Sequence, residues 1–171
     1  MPNGTSDIGL AVSVSGGTHD QNGGYHRYQS DEQIPPDVVI DRFIADGYDG
    51  AIRVTIQESV DNQTETIYGI DGNPHIVPRT VTHHLTVYRH GSHAAASYTH
   101  GDSATSRTWI THNPLPLTAA QAITPTWLDD PPLPADAMFP TDELHDVLRE
   151  FVETGHRSTG VDWHAVPGEV R

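Results

Sequence analysis

PADAMFPTDELHDVLREFVETGHRSTGVDW, residues 134–163, contains the clearest helix of the chain and decides how the rest must pack. Leu144, Val147, Leu148, Phe151 and Val152 fall at spacings of three and four, which lays one apolar stripe along a helix of 3.6 residues per turn. Thr141 is placed to cap its N-terminus, and Asp142 and Glu143 put negative charge in the first turn, where the helix dipole favours it. Gly155 sits where a glycine in left-handed conformation would close the helix. His145, Asp146, Arg149, Glu150 and Glu153 take the outer face. After the turn, residues 159–163 return as a short strand, with Val161 and Trp163 on one side. An amphipathic helix of this kind needs a sheet or another helix to cover its stripe, so Leu144, Leu148 and Phe151 are expected to be buried, with Trp163 packed nearby.

Working back from it, the chain supplies that sheet. Ile8, Leu10, Val12 and Val14 alternate with smaller residues, giving a half-buried strand over 8–14. Gly16, Gly17, Gly23 and Gly24 then mark a long polar loop with His19, Tyr25, His26 and Tyr28. A phosphate loop would need a following Gly-Lys-Ser/Thr, and the chain has no lysine. A first helix is predicted over 36–46, opened by Pro36, packed through Val39, Ile40, Phe43 and Ile44, and stopped by Gly47. Strands follow over 51–57, 66–70, 80–88, 94–99 and 105–111, with Asp71-Gly72-Asn73-Pro74 as the strongest turn signal. Residues 113–140 carry Pro114, Pro116, Pro125, Pro131, Pro132, Pro134 and Pro140, which exclude a long regular element. Residues 124–128 are the one short strand expected there. The order is strand, helix, meander, helix, strand, which is an α+β fold: a single domain with an antiparallel sheet and both helices on one face. Residues 1–7 and 164–171 read as flexible ends.

Phe139, Pro140, the helix to Val152, then Thr154, Gly155, Arg157, Val161 and Trp163 carry a resemblance. They resemble the closing segment of the first-numbered immunity-protein (Imm) family of bacterial polymorphic toxin systems. That segment has a proline, an amphipathic helix, a Thr-Gly-x-Arg-Pro turn and a strand ending in Trp. Ser158 stands in place of the turn proline, and Gly160 where Cys is common. The resemblance covers about a fifth of the chain, and it implies the same α+β layout. It also implies that the partner is a cognate toxin domain, often a deaminase or nuclease acting on nucleic acid, and that the chain itself is not an enzyme.

Composition bears on the same question. The chain has 171 residues, 35% hydrophobic and 19% charged, with 23 Asp and Glu against nine basic residues, all arginine, for a formal charge of −14. Such a surface repels nucleic acid and anionic membranes and attracts a basic partner. No apolar run reaches the roughly 18 residues needed to cross a bilayer, and the start lacks the basic and apolar regions of a signal peptide, so the cytoplasm is the expected compartment. With no cysteine, disulfides and thiolate chemistry are excluded.

Twelve histidines raise the possibility of a metal site, and seven of them lie between His75 and His112. His83 and His84, adjacent in a strand, point to opposite faces and cannot share one ion. His90 and His93 flank a turn without a carboxylate at helical spacing to complete a ligand set. No Gly-x-Ser-x-Gly elbow occurs. No cofactor is expected. The alternatives to an immunity protein are a small His-dependent metal enzyme and an acidic adaptor whose charge serves solubility. For partner contact, the acids of the proline-rich segment, Asp129, Asp130 and Asp136, are the expected carboxylates, with Trp127 as an aromatic anchor. Tyr98 is a competing anchor on what the sequence suggests is a sheet edge.

Overall fold

The computed structural model describes residues 11–102, 105–125 and 130–167. Its eight strands are β1 (Ala11–His19), β2 (Tyr25–Gln29), β3 (Asp49–Tyr68), β4 (Pro74–His90), β5 (His93–Gly101), β6 (Ser106–His112), β7 (Phe139–Pro140) and β8 (Asp162–Ala165). They form one antiparallel sheet in the order β2-β1-β3-β4-β5-β6-β8, with β7 pairing β5 at its start. The helices are α1 (Pro36–Asp46) and α2 (Leu144–Thr154). The α+β fold with a strand meander and two helices on one face is as expected.

Both helices pack on the same face. α1 carries the chain from the edge strand β2 back across that face to β3. Val39, Ile40 and Phe43 of α1 and Leu144, Val147, Leu148 and Phe151 of α2 meet Val14, Ile52, Val54, Ile56, Leu85, Val87 and Tyr98 of the sheet. Gly47 and Gly155 end the two helices with φ of 68° and 71°, a conformation that glycine adopts without steric cost. Arg89 reaches from β4 to the end of α1. Its Nη1 donates to the carbonyl of Phe43 at 3.1 Å, so a cation meets the negative end of the helix dipole. Tyr28 is buried beside it, and its hydroxyl donates to Asp46 at 2.6 Å. Burial pushes that phenol's pKa up, so the donor stays protonated.

The opposite face has its own core. Ala51, Tyr88 and Ala95 of the sheet are covered by Leu133, Ala137 and Met138, with Leu117, Ala120 and Ile123 alongside. The proline-rich segment is therefore a second layer. It is pinned where Ile123 and Leu133 exchange backbone hydrogen bonds of 2.8 and 3.1 Å.

Several local expectations are corrected. Gly16 and Gly17 lie inside β1, not in a loop, and a side chain at Gly17 would strike the Tyr25 ring laid across it. The turn after β3 begins earlier than expected: Gly69 N–H donates to the Asn73 carbonyl at 2.9 Å, so the strand ends at Tyr68. Thr141 does not cap α2, because residues Thr141–Glu143 form a 3-10 turn that runs into the helix with no side-chain cap. The last strand is Asp162–Ala165, since residues 156–161 are held in a loop, and 164–165 are thus paired with β6 and not a loose end. Of the strand expected over 124–128, Thr124 and Pro125 are not in a strand, and the remainder lies outside the described residues, as do Ile8, Leu10 and the ends 1–7 and 168–171.

Candidate functional site

The residues after α2 build a cavity on the helix-bearing face. Glu150 on the last turn of α2 accepts hydrogen bonds from Ser158 Oγ at 2.6 Å, from Thr159 N–H at 3.0 Å and from Thr159 Oγ1 at 3.0 Å. Those donors hold its carboxyl below the usual carboxylate range, the Ser158 hydroxyl contributing most. Trp163 Nε1 donates to the Ser158 carbonyl at 2.9 Å. Ser158, the residue that departs from the Thr-Gly-x-Arg-Pro pattern, is thus the buried pin of the loop. Fixed this way, the loop places the Arg157 guanidinium 4.5 Å from the ring centre of Trp109 and 6.0 Å from that of Tyr98. Both distances suit cation–π attraction. Tyr98, His100, Trp109, His156, Arg157 and Trp163 line a cavity of about 680 Å³.

Under its rim, His83 is buried, with Nδ1 3.0 Å from the Tyr98 hydroxyl and Nε2 3.5 Å from Glu58. Its ring lies 4.6 Å from that of His100. Burial lowers the His83 pKa, the nearby His100 lowers it further, and Glu58 opposes both. Its side chain, with the Tyr98 hydroxyl, works as an internal hydrogen-bonding group of the core. His84 faces the other way and bonds Thr55 at 2.9 Å. His90 lies 3.2 Å from Asp49. Among the described residues, no three His, Cys, Asp or Glu side chains come together in a way that could hold a metal ion. No described helix is long and apolar enough to cross a membrane.

The structure separates the residues expected at a partner surface. Asp130 is a correction: its side chain is 4% exposed, 2.9 Å from Arg53 Nη2 and hydrogen-bonded by the Tyr88 hydroxyl. It is a structural acid of the second layer because its partners lie on the sheet beneath it. Tyr98 is corrected as well. It is 4% exposed, and β5 is an interior strand between β4 and β6, so the ring is the floor of the cavity instead of an edge anchor. Asp136 does stand at the surface, 47% exposed and 3.6 Å from His112. Trp127 and Asp129 lie outside the described residues. Leu144, Leu148 and Phe151 are buried, Gly155 closes the helix, and Trp163 is half-buried against the core, all as expected.

A feature that sequence reasoning missed is a long two-stranded arm. The described pairing of β1 to β3 stops at Gln57 and that of β5 to β4 stops at Thr82, yet β3 and β4 remain paired out to Tyr68 and Pro74. The register shifts between Ser59 and Thr64, where the extra residues of β3 bulge and Asn62 takes a φ of 57°. With five paired residues on each strand, Thr64–Tyr68 against Pro74–Pro78, the ribbon runs roughly 17 Å from the bulge to its turn. Ile67, Tyr68, Ile70 and Ile76 on it are exposed. Its signal was present in Thr-Glu-Thr-Ile-Tyr and His-Ile-Val on either side of the turn, but Pro74 and Pro78 interrupt the strand pattern. They are tolerated because no described strand pairs with that side of β4, so a missing N–H leaves no partner unserved.

Comparison with protein-family models, with curated proteins and with solved structures finds no match to this chain.

Proposed function

We propose that this chain is an immunity protein that binds a cognate bacterial toxin domain and occludes its active-site cleft. The observation that carries this reading is the acid excess and its disposition. Against 23 acids stand nine arginines. Arg53 is spent on Asp130, Arg79 on Asp102, Arg89 on the end of α1, and Arg157 on the Trp109 ring. That leaves five arginines against the 21 acids other than Asp130 and Asp102. A toxin that acts on nucleic acid must have a basic cleft for phosphates, and carboxylates presented to that cleft replace them. The resemblance of residues 139–163 to the Imm family supports the same reading, and a sheet packed on both faces suits an inhibitor that works by fit. A nucleic-acid-directed deaminase or nuclease is the class of toxin proposed.

The test is to identify the genes adjacent to this one and co-express the full chain with any toxin domain they encode. Co-purification as a stoichiometric complex, with growth restored, is the expected result. If the host dies as it does with the toxin domain alone and no complex is recovered, the reading is wrong.

A further inference from the structure

We propose that the β3–β4 arm is the element that enters the partner's basic cleft; this rests on the reading of the chain as an inhibitor of a nucleic-acid-acting domain. The arm has no sheet neighbour among the described residues, and a two-stranded ribbon without a third strand or a helix against it is marginal in water. It nevertheless spends large apolar side chains on solvent. Tyr68 is 74% exposed, Ile76 is 77% exposed, and Ile70 at the tip is fully exposed. Contiguous exposed apolar groups of this kind mark an interaction site.

The placement of these residues says what shape of partner fits. Pairing sets Thr66 opposite Ile76 and Tyr68 opposite Pro74, so Tyr68 and Ile76 share one face of the ribbon. Ile67 and Val77 fall on the other, and Ile70 caps the end. A ribbon with apolar groups on both faces and at its tip is matched by a partner that surrounds it. That partner offers a cleft and not a flat surface.

Charge says what kind of cleft. Residues 57–80 carry Glu58, Asp61, Glu65 and Asp71 and a single arginine, Arg79. That arginine is already bonded to Gln63 at 2.9 Å and paired with Asp102. These residues thus carry a net negative charge, with a flat ring and apolar groups between the acids. Clefts that hold single-stranded nucleic acid combine cations for the phosphates with surfaces on which bases stack. The arm offers counterparts to both, carboxylates for the phosphates and the Tyr68 ring for a base.

The test uses the full chain and, as probe, the toxin domain identified by the co-expression experiment. The triple variant Tyr68→Ser, Ile70→Ser and Ile76→Ser changes only exposed positions. Leu115→Ser, at an equally exposed position off the arm, is the matched control. The triple variant should bind at least about 100-fold more weakly by calorimetry, as expected for loss of an anchoring cluster, with the control within about twofold. In the wild-type complex, amide exchange over residues 64–78 should slow, a readout that needs no variant. Wild-type affinity in the triple variant, or unchanged exchange in the arm, overturns the arm while leaving the inhibitor reading intact. Failure of the wild-type chain itself to bind removes both. A wild-type dimer that the triple variant converts to monomer, with partner affinity unchanged, assigns the arm to a second copy of this chain and overturns the proposal as well.

Discussion

The Asp130 carboxylate lies 2.9 Å from Arg53 Nη2 and accepts the Tyr88 hydroxyl, bridging the proline-rich layer to the sheet beneath it. Removing it leaves a largely buried guanidinium without that charge partner. Asp130→Ala is therefore expected to destabilise the fold by about 3–5 kcal/mol, measured by chemical denaturation, where an exposed aspartate would cost almost nothing. A midpoint unchanged from wild type would return Asp130 to the surface. This residue also shows where sequence stops informing. Asp129-Asp130-Pro131-Pro132 reads as a solvated acidic loop, and nothing local reveals that Arg53, 77 residues earlier, waits under it. Tyr98 misleads in the same way, since an aromatic in an alternating strand is equally compatible with an edge or a core position until the neighbouring strands are placed. His83 and His84 were legible because the strand period alone sends them to opposite faces.

At the scale of elements, α2 was readable because its stripe, its stop and its packing all depend on spacing within eleven residues. Phe151, fully buried and set edge-on to Tyr98 with ring centres 6.0 Å apart, is the centre of that packing. Phe151→Ala should cost about 3–5 kcal/mol through lost burial and the cavity left behind, read as a drop in the denaturation midpoint with an unchanged slope. An unaltered midpoint would mean that the helix does not anchor the core. α1 was equally legible, its proline and glycine marking both ends. The arm and the second layer were not. Both consist of residues whose role depends on what lies across the sheet: the arm on where β1 and β5 stop pairing, the layer on apolar residues scattered among prolines, such as Leu117, Ile123 and Leu133, that have no periodicity to betray them.

For the whole molecule, a formal charge of −14 favours a basic partner, and the proposed arm is the means of presenting that charge. A negative domain approaching a basic cleft is accelerated by long-range attraction, and that attraction is screened beyond about 10 Å at 0.1 M salt. An acidic adaptor that uses its charge only for solubility would have no such partner and no such dependence. The direct measurement is stopped-flow association of the full chain with the toxin domain identified by co-expression, at about 50 mM and about 500 mM salt. A rate that falls by about tenfold or more at the higher salt is the predicted result; association at the same rate in both would contradict the claim that carboxylates steer this protein into a basic cleft.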